Sequence, residues 1–155
     1  GIPYDIPATG EQGWGDAARG FIGQIPIFSL TVLQFGNIEV TSAGDTYLSP
    51  VYSSSTAGAT ELFLHCPVTG NIRNLVIYQA TPFEADANPA ATFTVRVNGV
   101  DTALVVDADS LATYSQADAL VTVAAGDTLS IFCQPHTATN PQATYVLAYV
   151  SVTME

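Results

Sequence analysis

The residue types best suited to chemistry are few in this chain and fall into two groups. His65-Cys66 and the run Cys133-Gln134-Pro135-His136 supply two sulfurs and two imidazoles, a donor set that zinc accepts. Adjacent residues of an extended strand point to opposite faces, so His65 and Cys66 converge on one ion only across a bulge, and the geometry argues against zinc. Asp107-Ala108-Asp109 places two carboxylates on one side of an extended segment, with Asp118 close in sequence. Oxygen ligands suit calcium, but the fixed spacing of an EF-hand loop is missing, so a solvated acidic loop is expected. No metal and no cofactor are expected.

Catalytic patterns fare no better. The chain has no Gly-x-Ser-x-Gly elbow, P-loop, Gly-x-Gly-x-x-Gly or His-Glu-x-x-His. His65 and His136 are the imidazoles available as near-neutral bases, and no spacing ties either to a nucleophile. Ser53-Ser54-Ser55-Thr56 has the composition of a solvated loop. The expectation is a protein that is not an enzyme.

The elements that must position these residues are strands. Hydrophobic residues make up 48% of the 155-residue chain and charged residues 11%, which places it far from disordered compositions. Abundant Val, Tyr, Phe and Thr favour an all-β class. Nine short runs separated by turn residues read as strands: 38–41, 47–52, 61–66, 71–80, 92–97, 100–107, 119–123, 127–133 and 143–153. In Thr92 to Val97 the alternation sends Phe93, Val95 and Val97 inward and Thr92, Thr94 and Arg96 outward. Asn98-Gly99 then suits a type I′ turn, because both central positions need positive φ, and a hairpin with the run from Val100 follows. A second hairpin is read across Ala124-Ala125-Gly126-Asp127. Such an antiparallel β-sandwich occupies residues 38–155.

Residues 1–37 read as an N-terminal arm, dense in Gly and Pro. Asp16 is placed to cap a short helix through Ala17, Ala18, Phe21 and Ile22 that stops before Pro26. Ile27 to Phe35 is apolar and fits either a buried helix or a strand. Cys66 and Cys133 lie in apolar runs and read as buried free thiols, with a disulfide open if their strands are neighbours.

The net charge of −11, with Arg19, Arg73 and Arg96 as the only strong cations, disfavours nucleic acid and anionic membranes as partners. Divalent cations or a basic protein surface fit better, and the acidity equally serves solubility. No apolar run approaches the roughly 20 residues needed to cross a bilayer, and the first residues lack a signal-peptide pattern, so the chain reads as soluble.

Two features resemble bacteriophage structural proteins. Tyr4-Asp5-Ile6-Pro7-Ala8-Thr9-Gly10-Glu11-Gln12-Gly13-Trp14-Gly15-Asp16 is similar to an Ile-Pro-x-x-Gly-x-x-x-Trp-Gly segment that recurs in virion proteins. The layout of Gly70 to Leu75, Phe93 to Gly99 and Ala125 to Ile131 resembles jelly-roll modules of phage decoration and fibre proteins, and distantly the tumour-necrosis-factor and C1q superfamily. The resemblance implies a jelly-roll sandwich of about eight or nine strands, assembled as a homotrimer on the outer surface of a virion built in the host cytoplasm. It implies attachment to the major capsid protein or another virion protein through the arm, where Tyr4, Ile6, Pro7, Trp14, Phe21 and Ile22 are the anchors that interfaces favour. The lesser alternative for Trp14 is that it plugs the bottom of its own sandwich. No collagen-like repeat or helical stalk precedes the sandwich, which favours a compact surface protein over a fibre shaft. The leading expectation is a capsid decoration or cement protein that stabilises the head shell. The alternative is a short fibre or tail tip that recognises a host receptor, of protein or glycan type, with Tyr52, Phe83 and Tyr114 as candidates to stack on sugars in the glycan case.

Overall fold

Alternating burial, the signature of strands with one face in a core, recurs along the chain. The computed structural model describes residues 30–41, 44–66, 68–81, 89–108, 114–136 and 142–154. The expected arm helix and the anchors Tyr4, Ile6, Pro7, Trp14, Phe21 and Ile22 lie outside these residues. Eleven strands are formed among them: β1 (Leu30–Thr41), β2 (Thr46–Leu48), β3 (Val51–Thr56), β4 (Leu64–His65), β5 (Gly70–Thr81), β6 (Ala91–Val97), β7 (Val100–Ala108), β8 (Tyr114–Ala117), β9 (Val121–Val123), β10 (Thr128–Pro135) and β11 (Gln142–Met154). No helix among the described residues is long and apolar enough to cross a membrane.

The strands form two sheets. Sheet A runs β3-β1-β11-β5-β8, with β9 also on β5, and sheet B runs β2-β10-β6-β7, with β4 also on β10. If β2 and β4 count as one strand position, β8 and β9 as another, and β3 is set aside, the eight positions fall 1-8-3-6 in sheet A and 2-7-4-5 in sheet B. That interleaving of two Greek keys is a jelly roll. The sandwich is not wholly antiparallel, since β3 pairs parallel to β1 at the edge of sheet A.

Between the sheets lie Phe35, Ile72, Leu75 and Ile77 from sheet A and Phe93, Leu104, Leu129 and Ile131 from sheet B, all essentially inaccessible to water. On β11 the buried residues Val146, Ala148, Val150 and Val152 keep strict period two. On β5 the step from Ile72 to Leu75 breaks it, and Asn74, in left-handed backbone at φ +57°, absorbs the extra residue. The β5–β11 register shifts at the same place, as a β-bulge requires.

Several boundaries differ from the sequence reading. The ambiguous stretch from Ile27 is strand from Leu30, and β1 pairs with β11 from Leu30↔Thr153 to Thr41↔Gln142, so residues 30–37 belong to the sandwich rather than to the arm. Gly36 lies within this strand, opposite Leu147 on β11, and its N–H donates to Ser49 O at 2.9 Å. The run Tyr47 to Tyr52 is two strands in opposite sheets, and the crossing at Ser49-Pro50 is pinned by buried Asn37. Asn37 Oδ1 accepts from Ser49 N at 2.8 Å and Nδ2 donates to Ser49 Oγ at 3.2 Å. Ser53 to Thr56, expected as a loop, pairs with β1 as part of β3. Strand β8 was not expected at all.

The two predicted hairpins part company. Asn98 and Gly99 have φ of +52° and +75°, and Val97 faces Val100 across the tight turn, as a type I′ hairpin requires. The turn at Ala124–Asp127 closes no hairpin, because β9 pairs with β5 in sheet A while β10 pairs in sheet B. It is a corner between sheets, held by Asp127 N to Ala124 O at 3.1 Å and Ala124 N to Asp127 Oδ2 at 2.8 Å, with Gly126 at φ +91°.

Candidate functional site

The residues first suspected of metal chemistry are kept apart by β10. His65 pairs with Thr128 at one end of that strand, while Cys133 pairs with Phe93 toward the other, about 17 Å away at the rise of a strand. Among the described residues no group of three or more His, Cys, Asp or Glu is placed to hold a metal ion. Cys66 and Cys133 are free and buried. Burial pushes both thiols above the usual cysteine range, Cys133 furthest. Asp107 and Asp118 serve different sheets: Asp107 accepts from Thr92 Oγ1 at 2.6 Å, and Asp118 binds Arg73. Asp109 lies outside the described residues.

A hydroxyl, an imidazole and a carboxylate do meet on the outer face of sheet B. His136 Nε2 lies 2.7 Å from the Thr92 Oγ1 that donates to Asp107. An ionised carboxylate only accepts, so the hydroxyl proton goes to Asp107 and the imidazole N–H donates to Thr92. A nucleophilic triad needs the imidazole between carboxylate and hydroxyl, accepting from the latter. Here the hydroxyl sits in the middle, which is the wrong order.

Elsewhere on that face Arg96 is fully engaged. Its guanidinium lies 5.6 and 5.7 Å from the ring centres of Tyr47 and Phe132 and donates to Tyr47 Oη at 2.7 Å. It also meets Asp101 Oδ1 at 2.7 Å, Glu61 Oε1 at 3.1 Å and Gly99 O. This cluster roofs the centre of the sheet, so Thr94 and Ser130, although on the outward side, are buried. Cation–π and charge-assisted contacts make it a structural clamp.

The outer face of sheet A is different: it is ruled in open cross-strand rows. Tyr78 on β5 stands directly opposite Tyr114 on β8, and the two side chains are 42% and 53% exposed. The next row sets Gln116 against Val76, which in turn faces Tyr149 on β11 and, beyond it, Gln34 on β1. Gln116 Oε1 accepts from Tyr114 Oη, so the amide and the phenol of β8 act together. Farther along, Arg73 Nε donates to Asp118 Oδ1 at 2.9 Å and Nη2 to Oδ2. Beyond them Thr122 Oγ1 donates to Asn71 Oδ1 at 3.0 Å. Exposed aromatic faces joined to amide and hydroxyl groups, on a rigid sheet, are suited to a ligand with apolar C–H patches and many hydroxyls.

Of the three stacking candidates read from the sequence, Tyr114 is on this face. Phe83 lies outside the described residues, and of Tyr52 only the backbone, in β3, is described. Tyr78 and Gln116 were missed. The alternation Ile77-Tyr78-Gln79 marks Tyr78 as outward once Ile77 is known to be buried, but its pairing with Tyr114 joins residues 36 apart and has no local signal.

No family model matches this chain, and no curated protein matches it. Among solved structures it is similar to a native structure of a family 35 carbohydrate-binding module from Clostridium thermocellum, at 14% identity and TM-score 0.39, over 77% of this chain and 97% of that one. The jelly roll stands on the strand order of its two sheets.

Proposed function

We propose that this chain is a non-catalytic recognition module that binds glycans on the outer face of sheet A. The observation that carries the reading is the exposed Tyr78–Tyr114 pair with Gln116 beside it. Two exposed phenol side chains stand at facing positions of neighbouring strands, and large half-exposed aromatics are the residues on which binding energy concentrates. An open sheet face, unlike an enclosed pocket, suits an extended polymer. The test is a glycan array and affinity electrophoresis of the full chain beside Tyr78→Ala and Tyr114→Ala. Each substitution should weaken binding at least about tenfold, about 1.4 kcal/mol, with the melting temperature retained. Binding that survives the double substitution removes the face as the site.

A second reading is favoured by the Tyr4 to Asp16 segment. It is that the chain decorates the head shell of a phage as a homotrimer, docking on the major capsid protein or another virion protein through Tyr4, Ile6, Pro7, Trp14, Phe21 and Ile22. The two readings are compatible if the segment attaches the module to the particle and the sandwich faces outward. A net charge of −11 argues against nucleic acid or an anionic membrane as the partner in either. Alanine substitution of Trp14 together with Ile6 should abolish attachment to the particle and leave glycan binding intact. Normal attachment by that variant removes the second reading.

A further inference from the structure

Resting on the glycan-binding reading of sheet A, we infer that the ligand class is uncharged polysaccharide, and that Asp118 sets this specificity by holding Arg73 in an internal ion pair. Recognition of a uronate, sulfate or phosphate on a sugar calls for a cation with open donors, and Arg is the side chain best built for it. The chain has no Lys, and its three arginines are Arg19, Arg73 and Arg96. Arg96 belongs to sheet B and is consumed by Glu61, Asp101, Tyr47 and Gly99. Among the described residues, Arg73 is therefore the cation that sheet A presents. It lies five residues along β5 from Tyr78, about 16 Å at the rise of a strand, within the length of one short oligosaccharide.

An anion reaches Arg73 only in competition with Asp118. Nε and Nη2 form a fork on both oxygens of Asp118, with the two side chains 46% and 47% exposed. Asp118 follows β8 and is held from a second direction by the backbone N–H of Asn74, the bulge residue. The partner is thus built into the fold at the gap where β5 passes from β9 to β8. Each charge cancels the other, so what remains in the row is a neutral, hydrogen-bonding pair. The net charge of −11 adds a repulsive field for any polyanion.

The test uses the full chain in affinity electrophoresis against neutral glucans, xylans and galactomannans and against acidic alginate and polygalacturonate. The wild type should be retarded by at least one neutral polymer and by neither acidic one, and Tyr78→Ala/Tyr114→Ala should lose the retardation. Asp118→Asn keeps an acceptor for Asn74 while freeing Arg73, and should gain at least about tenfold in affinity for an acidic polymer. Adding Arg73→Gln should abolish that gain. Asp118→Ser serves as the second variant should the amide perturb folding, judged by melting temperature. Retardation of the wild type by acidic polymers, lost in the tyrosine variant, overturns the neutral specificity while leaving the face as the site. A folded Asp118 variant with no gain overturns the role of Asp118. Failure of every polymer, neutral and acidic alike, to retard the wild type overturns both this inference and the glycan-binding reading.

Discussion

Asn98 and Asp127 join two turns at one end of the sandwich: Asn98 Nδ2 donates to Asp127 Oδ1 at 2.8 Å, while Asn98 Oδ1 accepts from Thr128 N at 2.9 Å. The type I′ hairpin of sheet B is thereby tied to the corner that brings the chain from sheet A. Two separate effects meet in Asn98, its positive φ and its side-chain bonds. Asn98→Gly should retain the first and lose the second, costing about 1 kcal/mol of unfolding free energy. Asn98→Ala should lose both, costing about 2–3 kcal/mol. Denaturant unfolding checks the order, and equal losses in the two variants would show that the backbone conformation contributes nothing.

Acid should weaken the fold through the same aspartate and through Asp118. The hydrogen bond from Arg73 holds the Asp118 carboxyl below the usual carboxylate range, and the bond from Asn98 does the same for Asp127. A carboxyl lowered in the folded state stabilises that state above its unfolded pKa, and the gain is lost as pH falls through the folded value. The melting temperature should therefore hold near neutrality and fall below about pH 4. Both groups are solvent-exposed, so added salt should reduce the effect. Asp118→Asn/Asp127→Asn should show a shallower acid decline than the wild type; identical declines would remove both carboxyls from the account.

What could be read in advance was local. Thr92 to Val97 announced its inward Phe93 and Val95 by alternation alone, and Asn98-Gly99 announced its turn by the one conformation both residues tolerate cheaply. The corner at Gly126 carries the same turn chemistry as a hairpin, and only the distant partners of β9 and β10 distinguish the two. Strand β8, Tyr114 to Ala117, is four residues with one aromatic, too short and too polar to stand out until β5 is beside it. The candidate site suffered most, because Tyr78, Tyr114, Arg73 and Asp118 come from segments that meet only through sheet pairing.

Asn37 tests whether a buried amide organises the crossing between β2 and β3. It serves Ser49 as acceptor and donor, and it is 1% exposed. Asn37→Ala should cost about 1–3 kcal/mol, since Ser49 N–H loses its partner inside the protein. Asn37→Asp keeps the acceptor for Ser49 N but lacks the amide donor and brings a charge into a buried position. It should be destabilised near neutral pH and recover as acid protonates the carboxyl. A pH-independent Asn37→Asp variant, read by thermal melts, would show that position 37 opens to water.

The two cysteines should be chemically silent in the folded protein. Cys133 faces Thr46 across the β2–β10 pair and is 0% exposed; Cys66 is also buried, with Asp127 near enough to oppose ionisation further. Thiolate is the reactive form, and burial raises both thiols away from it. A disulfide-exchange reagent at mildly alkaline pH should therefore find essentially no fast-reacting thiol under native conditions and two after denaturation. Cys66 should label before Cys133 in partial denaturant, because β4 is held to β10 by only two residue pairs, whereas Cys133 lies between β2 and β6. Mass spectrometry of the labelled peptides gives the order. Rapid native labelling of Cys133 would mean that the core beside β2 opens far more readily than its packing implies.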